Sequence, residues 1–234
     1  IAYLDVRDPE QIRVVGLAQP PTSLASNSGT ATAGLGFSGQ LVTVADGRAG
    51  PPRALVPGQE GRLTLATRQD AVWAATIDGK LFGPGLSPLN TTPLSVPGSP
   101  VRMALGPDRA WVLTLDRREL VAVPLTGGEP VVSALRGVPI DIGAADDGAW
   151  AVTSGDDRLW RATAAQGRVV ATRPLPGPPA GVAVGPDVVW VAVKQPAMLV
   201  SYDPNTLRQL SSIPLPRPPI DLTAAEDLLL VVVG

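Results

Sequence analysis

Residues 181 to 216 read GVAVGPDVVWVAVKQPAMLVSYDPNTLRQLSSIPLP, and close copies of this pattern recur along the chain at a spacing of 38 to 40 residues. Val182-Ala183-Val184 is a short apolar run, Gly185-Pro186-Asp187 carries turn chemistry, and Val189 to Val193 is a β-branched run around Trp190. Lys194-Gln195-Pro196 breaks the pattern, Leu199 to Tyr202 resumes it, and Asp203-Pro204-Asn205-Thr206 turns the chain into a last extended segment, Leu207 to Ile213. Four strands per repeat predict one blade of a β-propeller.

Two ladders fix the register of the other copies. Trp73, Trp111, Trp150 and Trp190 stand 38, 39 and 40 residues apart, each inside a second-strand run, with Ala33 and Leu230 as the expected equivalents elsewhere. Leu41, Leu81, Leu120, Leu159 and Leu199 form a third-strand ladder, and Trp160 follows Leu159. Large apolar side chains at one depth of every repeat are expected to pack blade against blade.

Residues 1 to 21 align without a gap on 199 to 219, with Asp5 on Asp203, and residues 219 to 234 align on 139 to 154. The chain is thus expected to start at a third strand and stop after a second. The predicted fold is all-β, a six-bladed β-propeller of four-stranded antiparallel blades in a single domain. Its blades fall near 21–60, 61–99, 100–138, 139–177 and 178–216, with a closing blade shared by 217–234 and 1–20, which would remove exposed sheet edges.

Composition narrows the function. The chain of 234 residues has 19 basic and 21 acidic side chains and a net charge of −2, so no basic field for nucleic acid is present. No stretch of about 18 residues is continuously apolar, and Asp5, Arg7, Asp8, Glu10 and Arg13 charge the first turns; neither direct membrane insertion of this domain nor a signal peptide is expected. There is no cysteine and no histidine, which removes thiolate chemistry, the commonest general base and the commonest transition-metal ligand. The 26 prolines and 25 glycines suit many tight turns between short strands. Lysine occurs only at 80 and 194, an arginine bias of the kind a GC-rich actinobacterial genome imposes.

The repeats resemble the YVTN, NHL and virginiamycin B lyase-like propellers, whose blades read GVAVGxxxVWVA followed by a DPxT turn; Gly181 to Ala192 with Asp203 to Thr206 is the best copy. The resemblance implies a six- or seven-bladed bacterial propeller. The lyase branch of that family uses a catalytic histidine with a metal, and this chain offers no histidine to match it.

In a propeller, chemistry gathers where first strands and the loops at one end surround the central channel. Counting back nine residues from the ladder positions puts Thr64, Arg102, Asp141, Gly181 and Asp221 in one row, which Ser23 joins from its Pro-Thr-Ser start, and Ala25, Ala66, Ala104, Gly143, Ala183 and Thr223 two residues on, in a row of small side chains on the same face. Arg102, Asp141 and Asp221 are the charged departures. They read as an ion pair with Asp221 left to water, as ligand contacts supported by Thr64 and Ser23, or as a hard-metal site that the arginine opposes. Arg117, Asp156 and Lys194 would form the supporting rim. The Leu-Pro-Gly-x-Pro links, as at Leu175 to Pro179, read as scaffold.

The resulting expectation is a non-enzymatic recognition or sensor module that binds a small polar ligand or a protein partner at the channel mouth, without cofactor, metal or nucleic acid. It is expected to belong to a longer, extracytoplasmic protein. The alternative is a hydrolase, lactonase or lyase that works through Asp141 and Asp221, with or without a divalent metal.

Overall fold

A computed structural model of the chain describes residues 2–5, 8–27, 30–46, 48–84, 92–225 and 228–234, and they form strands and turns with no helix. The chain divides into two compact units, Ile1–Ser95 and Val96–Gly234.

In the first unit, β1 (Ala2–Asp5) and β2 (Asp8–Val14) make a two-stranded antiparallel sheet. The next sheet holds β3 (Pro21–Asn27), β4 (Thr30–Leu35) and β5 (Gln40–Ala45), and its fourth position is filled by two short pieces, β6 (Arg48–Ala49) and β7 (Arg53–Ala54), both paired with β5. Between those pieces lies Gly50-Pro51-Pro52, and two prolines without N–H groups cannot continue a ladder. The third sheet runs β8 (Leu63–Arg68), β9 (Ala71–Thr76), β10 (Lys80–Phe82) and β11 (Leu94–Ser95). Its core joins Leu41, Leu55, Leu63, Leu65 and Phe82.

The second unit holds three complete four-stranded sheets in sequence order. These are β12 (Pro100–Leu105), β13 (Arg109–Thr114), β14 (Glu119–Pro124) and β15 (Val131–Ala134); β16 (Val138–Ala145), β17 (Gly148–Ser154), β18 (Arg158–Thr163) and β19 (Arg168–Pro174); and β20 (Pro179–Val184), β21 (Val189–Val193), β22 (Met198–Tyr202) and β23 (Gln209–Pro214). A two-stranded sheet of β24 (Pro219–Ala225) and β25 (Leu228–Val233) follows. The strands β12, β16, β20 and β24 lie side by side, as do β3 and β8 in the first unit. All neighbours within a sheet are antiparallel, which is the blade of a β-propeller: five complete blades and two two-stranded halves.

The ladders carry the packing. Trp111, Trp150 and all five ladder leucines are buried, and Trp160 lies in the core with its indole N–H donating to Thr153 Oγ1 at 2.9 Å. One apolar cluster runs from Trp150, Val152 and Leu159 of one blade into Val182, Val189, Val191, Val200, Tyr202 and Leu207 of the next. The Trp150 indole N–H also donates to the Pro204 carbonyl, 3.0 Å away in the next blade's third turn. Trp190 is only half-buried.

One ladder position needs correction. Ala25 faces Thr32 as Ala66 faces Trp73 and Ala104 faces Trp111, so Thr32, rather than Ala33, takes the tryptophan place in the first complete blade. The run TATAG ahead of Leu35 is made of small residues, largely buried on both faces, and without a large side chain at the tryptophan place it reads equally well in either register.

Candidate functional site

The row predicted from the ladders is a transverse row of the sheets. Ser23 pairs with Gly34 and so with Leu41; Arg102 with Leu113 and Leu120; Asp141 with Val152 and Leu159; Gly181 with Ala192 and Leu199. Thr64 and Asp221 take the same place opposite Ala75 and Val232. In five of the six first strands a β-bulge separates a proline at or next to the strand's start from the row residue, as between Pro139 and Asp141; only β8, which opens on Leu63 after Gly61-Arg62, lacks it. Proline cannot donate to the ladder and suits the first position of a strand, and the extra residue of a bulge re-aims the side chain that follows it.

A bulge also leaves backbone groups in want of partners. Asp141 supplies one: its Oδ2 accepts the N–H of Val182 in the neighbouring strand at 3.0 Å, and its own Ile142 N–H bonds to it as well. Gly181 has no side chain to do the same for the next strand, and there the Leu222 N–H is taken by Asp221 Oδ1 of its own strand at 2.8 Å. A Cβ at Gly181 would stand 3.3 Å from Asp141 Oδ2 and 3.2 Å from the Leu222 nitrogen, so the glycine lets the two strands approach.

Arg102 is held more loosely. Its Nε lies 3.8 Å from Asp141 Oδ1, and its Nη1 donates to the Val101 carbonyl at 3.1 Å. The Arg102 side chain is 48% exposed against 20% for Asp141. Burial pushes the Asp141 carboxyl up to about 6, against the pull of the Val182 and Ile142 N–H groups and of Arg102, and the charge of Asp221 adds to the rise. The structure therefore assembles Arg102 and Asp141 with Asp221 within electrostatic reach. Asp141 is spent on the backbone, while Arg102 presents a half-exposed guanidinium.

In the first unit the row is consumed internally. Ser23 Oγ donates to the Leu63 carbonyl at 2.7 Å, and Thr64 is buried.

The rim residues differ among themselves. Asp156 Oδ1 accepts the Thr153 hydroxyl at 2.7 Å, Arg158 Nε stands 3.6 Å from its Oδ2, and the carboxylate presses on Gly137, where a Cβ would collide with it. Asp116 repeats this brace one blade earlier by accepting the Ser99 N–H at 2.7 Å beside Gly98. These acids clamp the glycine links between blades, a role that residue types alone did not reveal; the recurring signal is an acid two or three residues past the second-strand threonine, as in Thr114-Leu115-Asp116 and Thr153 to Asp156. Arg117 sits 4.0 Å from Asp116, and Lys194 is exposed. Among the described residues no group of three or more His, Cys, Asp or Glu is placed to hold a metal ion.

The sequence matches no protein-family model and no curated protein. Solved structures do resemble it in fold. The WD40 repeats of RRP9 superpose with a TM-score of 0.78 at 13% identity, covering 100% of this chain and 80% of that one. BBS1N in complex with ARL6DN gives 0.68 at 15% identity, over 88% and 72%. A catalytically inactive virginiamycin B lyase from Staphylococcus aureus with quinupristin gives 0.67 at 12% identity, over 85% and 72%. At such identities the likeness is one of fold.

Proposed function

We propose that the protein is a non-enzymatic recognition module, outside the cytoplasm, that holds a protein or peptide partner, or a small polar ligand, at the end of the blades bearing Arg102. One observation carries this reading. In a row whose other polar members serve backbone groups or lie buried, Arg102 keeps a half-exposed guanidinium with its nearest carboxylate only at 3.8 Å. A guanidinium offers a forked set of donors that suits a carboxylate. Asp141 orients Arg102 and keeps the neighbouring strand in place, and Asp221 lies exposed as an acceptor for a donor on the same ligand. Among the structural neighbours, BBS1N is seen with a protein bound, which supports a protein partner.

The test is a thermal-shift and calorimetric screen of dicarboxylates and short peptides with free C-termini. At least one is expected to bind wild type, and Arg102→Ala should weaken it by more than about tenfold without changing the fold. Equal binding by wild type and Arg102→Ala, or no binding across the series, would overturn the proposal.

A further inference from the structure

We propose that the partner surface extends from Arg102 over the adjoining loops of the second unit and that the partner it fits is an acidic polypeptide; this rests on the recognition reading above. The antiparallel order sends two sets of connecting segments to opposite ends of the blades. At one end lie the turns from second to third strand and the links from fourth to first. Their mutual hydrogen bonds tie them together: Leu135 N–H to the Arg118 carbonyl at 2.8 Å, Leu175 to Asp157 at 2.8 Å and Leu215 to Ala197 at 2.9 Å. Arg102 belongs near this end, because Pro100, just before the bulge, pairs with Thr114, the last residue of β13.

In the second unit the connecting segments of that end carry five basic and three acidic residues. Those of the opposite end carry one basic and six acidic residues among the described ones. The arginines beginning or lining strands there do not reverse the sign: Arg109 and Arg161 are mostly buried and paired with Asp108 and Asp147, and exposed Arg168, bonded to Gln166, brings that end to two free cations against six acids. Two of the three acids at the Arg102 end, half-exposed Asp116 and largely covered Asp156, are engaged beside glycine links and already neutralised in part by Arg117 and Arg158. Arg118, Arg136, Lys194 and Arg217, by contrast, are exposed and enter no ion pair among the described residues.

A chain of net charge −2 thus gathers most of its free cations at one end of three successive blades. Complementary potential steers encounter and fixes orientation. Interspersed carboxylates and the absence of an exposed aromatic side chain among the described residues of these loops favour a polypeptide with spaced acids over a phosphate backbone, which needs a continuous basic track and benefits from stacking platforms.

The experiment titrates a fluorescein-labelled deca-glutamate peptide by anisotropy at low salt, about 50 mM, where surface charges reach beyond about 10 Å. Oligothymidylate of matched charge runs beside it. Two double variants remove equal charge at the two ends: Arg136→Glu with Arg217→Glu, and Arg168→Glu with Arg208→Glu. The first pair should lose at least about tenfold in affinity and the second should stay within about threefold. Absence of wild-type binding, equal losses in the two pairs, or tighter binding of the oligonucleotide would overturn the inference. If Arg102→Ala still abolishes binding of a small carboxylate while the Arg136/Arg217 pair leaves deca-glutamate unaffected, the recognition reading stands and this extension fails.

Discussion

Replacing Trp150 by alanine removes a side chain that is fully buried between two blades and whose indole N–H reaches the Pro204 carbonyl of the next blade at 3.0 Å. The surrounding cluster is built of valines, Leu159, Tyr202 and Leu207 on strands held by ladders on both sides, so the walls have little freedom to collapse into the space. Truncating a buried tryptophan to alanine in such a setting costs about 3 to 5 kcal/mol. Trp150→Phe keeps most of the ring volume but leaves Pro204 to find water, and is expected to cost about 1 to 2 kcal/mol. Trp190→Ala should cost less than Trp150→Ala, because Trp190 is only half-buried. Equilibrium unfolding in urea with matched m-values reads all three. A loss below about 1 kcal/mol for Trp150→Ala, or a larger loss for Trp190→Ala, would show that the tryptophan ladder does not join the blades in the way described.

Stability should also follow pH through Asp141, whose folded-state carboxyl lies at about 6, above its ordinary value of 3.8. Below pH 4 both folded and unfolded chains hold the proton; between about 4 and 6 only the folded chain does, so stability falls as pH rises through that window, by at most about 3 kcal/mol. Asp141→Asn should flatten this slope in denaturant titrations at pH 4 to 7, and parallel profiles for the two proteins would reject the assignment. Gly137→Ala places a methyl against both Asp156 and the Ser154 carbonyl on a backbone at φ 78°, and should lower the melting temperature more than Gly155→Ala, which at φ 88° meets open space; equal shifts would show that the link is not packed tightly on that turn. The alignment of residues 1–21 on 199–219 leads us to propose that the two two-stranded halves complete one blade, so deleting residues 1–14 should destabilise the chain in thermal unfolding, and an unchanged melting temperature would refute a shared closing blade.

How legible this molecule is depends on the length scale of each signal. Trp73 to Trp190 and Leu41 to Leu199 recur at nearly constant spacing because each blade buries the same depth of its neighbour, and a large side chain at that depth is visible in a single sequence. Where the large residue is missing, as at Thr32, nothing in the sequence fixes the register, and it differs by one from the expectation at Ala33. The charged row is visible in the sequence as a departure from repeat symmetry at Arg102, Asp141 and Asp221. What each carboxylate does there was hidden, because the bulge that frees the Val182 and Leu222 N–H groups is a property of the backbone pairing, and the partner of Val182, Asp141, lies in another blade about 40 residues away while Asp221 serves its own neighbour. The same holds for Asp116 and Asp156, which look like solvated loop charges until the glycine links are placed beneath them.

The proline-led bulge ahead of the row has a consequence for how such a chain can change. Because the kink is made by backbone and proline, the residue that follows is delivered to the same spot whether it is Ser23, Arg102, Asp141, Gly181 or Asp221. The position behaves as a socket, and its occupants can be exchanged blade by blade while the leucine and tryptophan ladders behind them stay untouched. The chemistry presented by the row can then drift, or be redesigned, along a small set of interchangeable side chains without renegotiating the fold that carries them.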